Sequence, residues 1–237
     1  MPRLVTPFYT ALALTAFAAN SLLCRLALGG AAIDAASFTT VRLVSGALML
    51  LAISALAERR SSQLSAIGSQ LSPKPAAVSL EPLALSPQAA SGSASGWRSA
   101  VALFTYAIAF SFAYLSLTTG TGALILFGAV QTTMMVHALA SGERPRALEW
   151  VGLASALTGL VVLVFPGLTA PPLLGSLVMA SAGMSWGFYS LWGRGTGDPL
   201  AATTTNFARS LPFALAASLL AIGGFHASAK GALLAAS

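Results

Sequence analysis

Charge is what this chain has least of. Only 8% of its 237 residues are Asp, Glu, Lys or Arg, against about 25% in a soluble domain. So few charges cannot cover a water-facing surface, which excludes an ordinary soluble globular protein. Acidic residues are the scarcer kind, 6 against 12 basic ones. They are Asp34, Glu58, Glu81, Glu143, Glu149 and Asp198, and none falls in the middle of an apolar run. Proton-driven carriers often relay through a carboxylate buried in the membrane. This chain offers none there, so the sequence names no coupling ion. A single cysteine, Cys24, excludes an intrachain disulfide. The two histidines, His137 and His226, are far apart, and no carboxylates cluster. That pattern argues against a metal site, and no cofactor is expected.

What the chain does have is apolar length. Hydrophobic residues make up 56% of it, in recurring runs of about 20, each long enough to cross a bilayer as a helix. A membrane barrel would show segments of about 10 residues alternating in hydrophobicity. These runs do not alternate, and helices satisfy their own backbone hydrogen bonds, as lipid requires. The fold class expected is therefore all-α, a polytopic transmembrane helix bundle. Spans are predicted at 5–28, 35–57, 99–118, 121–140, 148–166, 173–193 and 200–222. The first begins like a signal peptide (MPRLVTPFYTALALTAFAANS), but its apolar run continues to Leu28, so it reads as a span. The final KGALLAAS starts like an eighth span and stops.

Between the second and third spans the composition changes. Residues 58–97 are rich in Ser and Pro and include SGSASG, which predicts a flexible linker. Net charge is +6, but the basic residues sit in loops, so membrane topology explains them better than nucleic acid does. With the N-terminus in the cytoplasm, Arg3, Arg59, Arg60, Lys74, Arg98, Arg144, Arg146 and Arg194 are all cytoplasmic, 8 of the 12. The loops TTGTG and PGLTAPP then lie outside with no charge. The expected location is the inner membrane, with the lipid bilayer and a small-molecule substrate as partners. A homo-oligomer is compatible with the sequence.

Two stretches look like copies of each other. DAASFTTVRLVSGALMLL and DPLAATTTNFARSLPFALAASLL each begin at an acid (Asp34, Asp198), pass through a Ser/Thr-rich turn, and place one arginine, Arg42 or Arg209. A charge at mid-bilayer costs at least ~2.5–3.5 kcal/mol on insertion scales. Bearing that cost at corresponding places in two repeats suggests a polar site inside the membrane, as in a transporter. The first five spans end near residue 166 and a new unit starts at LLGSLVMASAGMSWGFYSLWGRG. An odd number of spans per unit inverts the second relative to the first. The organisation expected is a five-span repeat over 1–166, carrying the linker, and an incomplete second repeat over 167–237, truncated at the C-terminus.

Several of these segments resemble EamA-type drug/metabolite transporters. TALALTAFAANSLLCRLAL with DAASFTTVRLVSGALMLL resembles their first two spans. TGTGALILFGAVQTTMMVHALASGERPRALEWVGLASALTGLVVLV resembles the fourth and fifth, with the Gly-Glu-Arg turn between them. LLGSLVMASAGMSWGFYSLWGRG resembles the opening of the second repeat. The resemblance implies ten spans in two inverted five-span repeats, and movement of small metabolites across the membrane, often outward. It also implies polar and aromatic cavity positions at Asn20, Trp186 and Tyr189. The long linker and the incomplete second repeat depart from the family pattern. They keep a second function open, a non-transporting fragment or an assembly component of a membrane complex.

The remaining candidates come from residue type and spacing. Arg42 and Arg209 are either anchors for an anionic substrate group or long stems reaching the headgroups. Tyr106, Phe110 and Tyr114 fall at i, i+4 and i+8, one helix face, which suits either an aromatic cavity wall or ordinary packing. Gln131 lies within an apolar run and needs a partner helix or cavity water. Gly183-Met-Ser-Trp-Gly187 matches a nucleophile elbow. That chemistry needs a strand–turn–helix setting and a nearby His–acid pair, whereas here the pentapeptide lies inside one apolar span. The glycines read instead as a G-x-x-x-G packing face, and no enzymatic activity is expected.

Overall fold

The computed structural model describes residues 2–30, 32–71, 94–143, 146–164, 171–221 and 228–236. Eight helices account for nearly all of them: α1 (Pro2–Gly29), α2 (Ala35–Leu71), α3 (Ala94–Ala113), α4 (Thr119–Ala140), α5 (Ala147–Val164), α6 (Leu173–Trp192), α7 (Pro199–Leu220) and α8 (Ala229–Ala236). No β-strand occurs among the described residues. Among the described residues three helical stretches are long and apolar enough to cross a membrane: Pro7–Gly29, Ala35–Leu64 and Thr119–Ala140, with mean hydropathies of 1.6, 1.9 and 1.6.

The helix starts follow local chemistry. Asp34 caps α2, its Oδ1 accepting the Ser37 N–H at 2.9 Å. Asp198 caps α7 in the same way, accepting from Ala201 at 3.0 Å, with Pro199 as the first helical residue. A side-chain oxygen there satisfies an N–H that has no partner inside the helix. The two acids that mark the sequence repeat are thus both N-caps. The turn from α3 into α4 is held from α1. Arg25 Nη1 donates to the Tyr114 carbonyl at 2.7 Å and approaches that of Leu115 at 3.4 Å. A cation at these last carbonyls also suits the helix dipole. It helps end α3 at Ala113, five residues before the 118 predicted.

One boundary differs more. The composition predicts the linker from residue 58, but α2 continues to Leu71. Residues 58–71 contain no proline, and the helix stops two residues before Pro73, where the ring disfavours helix for the preceding residue. At the other end, α3 already begins at Ala94. The rest of the predicted linker, 72–93, lies outside the described residues.

The helices gather around α3, which packs on α6 and α7, while α2 packs on α7, α3 and α8, and α4 on α6. Glycines make the α4–α6 approach close. A Cβ at Gly183 would lie 2.5 Å from the Leu126 carbonyl oxygen, and one at Gly187 would lie 3.0 Å from Thr133. These two glycines therefore form the close packing face that their spacing predicts. Hydroxyls join α2 to its neighbours. Thr40 Oγ1 lies 3.0 Å from the Ala214 carbonyl and 2.7 Å from Ser218 Oγ. Thr39 meets Ser111 at 2.8 Å inside the core. Much apolar surface stays uncovered, including Leu48, Met49 and Leu56, each more than 60% exposed.

Candidate functional site

A cavity of about 560 Å³ lies where α1, α2, α3, α6 and α7 meet. Its size falls in the range of about 300–1,000 Å³ usual for small-molecule sites. A second cavity, about 470 Å³, lies on the α8 side, and both are bounded by Ala16, Asn20, Arg42 and Phe207. Arg42 therefore stands on the partition between two spaces.

Helical periodicity puts these side chains there. Ala13, Ala16 and Asn20 recur at i, i+3 and i+7 on α1, so small residues and one amide face the cavity together. Thr203 and Phe207 do the same at i, i+4 on α7. Phe207 lies tight over Gly46, where a Cβ would sit 2.6 Å from its ring. Opposite, an aromatic wall is built from two helices. The Tyr106 and Trp186 rings are centred 4.8 Å apart, and Trp186 and Tyr189 5.4 Å apart. Phe17 meets Trp186 edge-on at 6.2 Å. Contacts of this kind hold ring orientation beyond what area burial alone provides.

Arg42 is half-buried, and its guanidinium sits over the Phe110 ring, 5.3 Å from the centroid. Its Nη1 is buried and has no hydrogen-bond partner among the described residues. A buried donor left unmade costs about 1–3 kcal/mol, more when charged. Among the described residues no acid lines either cavity. The residues that do are mainly apolar and aromatic, with the Arg42 charge, the Asn20 amide and the Thr203 and Ser45 hydroxyls as polar groups.

Of the nine residues singled out in the sequence, five border this cavity: Asn20, Arg42, Tyr106, Trp186 and Tyr189. The other four lie elsewhere. Phe110 is fully buried beneath Arg42 and supports it. Tyr114 folds over the α3–α4 turn, its hydroxyl 3.3 Å from the Thr119 carbonyl and its ring against Gly122. Gln131 is on the exposed face of α4. Arg209 lies against Gly96 and the Trp97 ring at the start of α3, 5.6 Å from the Trp97 centroid. Arg209 follows the cavity residue Phe207 by two positions, about 200° round the helix, so it leaves α7 on the side away from the cavity. The arginines that match in sequence are therefore not matched in space. Phe17, Thr203 and Phe207 were missed. The one available signal was their i, i+3 or i, i+4 spacing from other cavity residues, which an all-round apolar helix obscures.

No family model matches the chain, and no solved structure matches it. It is similar to the uncharacterized protein PA1977 of Pseudomonas aeruginosa, 47% identical over 224 residues, which is 94% of this chain and 68% of that protein.

Proposed function

The chain belongs to the family of Pseudomonas aeruginosa PA1977, and we propose that it is a membrane transporter moving a small organic metabolite across the inner membrane, outward, by alternating access. One observation carries this reading. The larger cavity is walled by helices from both predicted repeats, α1 to α3 from one and α6 with α7 from the other. In transporters built from inverted repeats, substrate sites lie at the repeat interface near mid-bilayer.

Three further features support it. The outward faces of α1, α2 and α4 carry large apolar side chains such as Leu14, Met49 and Val136, which suits acyl chains better than water. Close glycine contacts and interhelical hydroxyl pairs are the means by which helices associate in lipid. The segments that resemble EamA-type transporters include those carrying Asn20, Arg42, Trp186 and Tyr189. On this reading the protein is a polytopic bundle of about seven spans. Its N-terminus is cytoplasmic, since that places 8 of the 12 Lys and Arg inside.

The test is solute release from proteoliposomes. The full chain is reconstituted with a mixed pool of small metabolites inside, and the outer solution is followed by mass spectrometry. At least one solute should leave faster than from protein-free liposomes, and Trp186→Ala should slow it. Equal release of every solute with and without protein would refute transport.

A further inference from the structure

We propose that the cavity's ligand is a monovalent organic anion: a carboxylate or similar oxyanion on a flat apolar body, with its charge on Arg42. The inference rests on the transport reading of the same cavity, but it concerns what binds there rather than whether it is moved.

The argument starts from Arg42. A guanidinium stays protonated at any physiological pH. Here one of its nitrogens is buried without a hydrogen-bond partner. Among the described residues no Asp or Glu lines either cavity to supply a counter-charge. Asp34, eight residues earlier on the same chain, accepts the Ser37 N–H as the cap of α2. Phe110 takes one face of the guanidinium, and the side chain borders both cavities. Buried charges are normally paired, so the guanidinium is suited to an oxyanion that accepts charge-assisted N–H bonds from it.

The rest of the cavity defines the body of the ligand. Tyr106, Trp186 and Tyr189 form a continuous aromatic wall, with ring centroids 4.8 and 5.4 Å apart. A flat ring or a short acyl chain fits against it better than a sugar, which would leave many hydroxyls unpaired. One arginine balances one negative charge. Cations are opposed by it, and a neutral amide leaves the charge uncompensated. Arg42 and Asn20 border both cavities, so an anion entering from either space meets the same charge and the same amide.

Binding of three matched probes tests this: indole-3-acetate, its primary amide, and tryptamine. Calorimetry is run on the full chain in phosphatidylcholine nanodiscs. The carboxylate should bind about tenfold tighter than the amide, a difference in keeping with a charge-assisted pair, and tryptamine should bind weakest. Arg42→Gln should bring the carboxylate down to the level of the amide and leave the amide unchanged. Arg42→Lys should restore part of the preference. Arg194→Gln, an exposed change of the same charge, should keep it all. Equal binding of carboxylate and amide, a preference that survives Arg42→Gln, or no binding of any probe would overturn the proposal. Repeating the titration in nanodiscs containing phosphatidylglycerol separates a free anion from a lipid headgroup. Retained binding supports the free anion, and lost binding overturns it in favour of lipid. Efflux measured separately distinguishes the two readings. Solute release without carboxylate preference refutes the anion alone, and anion binding without release refutes transport alone.

Discussion

Replacing Gly183 by alanine puts the α4–α6 contact to a quantitative test. The added methyl would sit 2.5 Å from the Leu126 carbonyl oxygen and 2.7 Å from Ala129 Cβ. Non-bonded carbon contacts settle near ~3.3–4.0 Å, so the helices must separate by roughly 1 Å at this level. The obstructing atoms belong to backbone and to a Cβ, and no rotamer change moves them. Separation also loosens Gly187, one turn further on, which lies close to Thr133. Overpacking of this kind costs ~1–3 kcal/mol. Against it stands the helix preference of alanine over glycine, about 1 kcal/mol. The net expectation is destabilisation of up to ~2 kcal/mol, at most roughly 8 °C in Tm for a chain of this size. Gly152 provides the opposite case. It lies on the exposed face of α5, and an added methyl there would meet nothing within 4 Å, so Gly152→Ala keeps only the preference and should stabilise by about 0.5–1 kcal/mol. Thermal unfolding of both variants in one detergent, followed by tryptophan fluorescence, gives the comparison. Gly183→Ala melting at or above wild type would refute the close-packing argument.

Arg209→Ala should leave probe binding and solute release at wild-type levels and lower stability by about 0.5–1 kcal/mol, the worth of an exposed cation–π contact with Trp97; a loss of release equal to that of Arg42→Ala would contradict this. Thr40→Val removes a hydroxyl shared with Ala214 and Ser218, and its cost should be about 0.6 kcal/mol and no more than ~1.7, read from the same melts. For topology, a cysteine replacing Gly120 should react with an impermeant maleimide in intact cells, in a Cys24→Ala background, whereas cysteines replacing Ser62 or Thr196 should react only after permeabilisation. Labelling of the latter two in intact cells would reverse the proposed orientation.

Some of this molecule can be read without coordinates. Each predicted span coincides with a helix to within a few residues at most ends, because runs of apolar residues bounded by Gly, Pro and capping acids leave the backbone few alternatives. Three ends differ by five residues or more: α3 begins at Ala94 rather than 99, and the other two have local causes, the absence of proline that lets α2 run to Leu71 and the Arg25 contacts beyond Ala113. The packing role of Gly183 and Gly187 was equally legible, since a stripe of missing side chains invites a close neighbour whatever that neighbour is.

Other features depended on which helix covers which face. Tyr106, Phe110 and Tyr114 share one face by spacing, yet they do three different things, because Trp186, Arg42 and Gly122 happen to stand opposite them. Arg42 and Arg209 occupy similar places in similar stretches, but one ends at a cavity and the other on Trp97. Periodicity determines the direction a residue takes from its own helix axis. What it meets there depends on the packing of α3 against α6 and α7 and on the uncovered face of α4 that leaves Gln131 exposed. By itself the sequence determined the helices, their caps and their close-packing faces, since those are local properties of the chain. The gathering of Asn20, Arg42, Tyr106, Trp186 and Tyr189 into one space was decided by tertiary structure, since it requires four helices to converge.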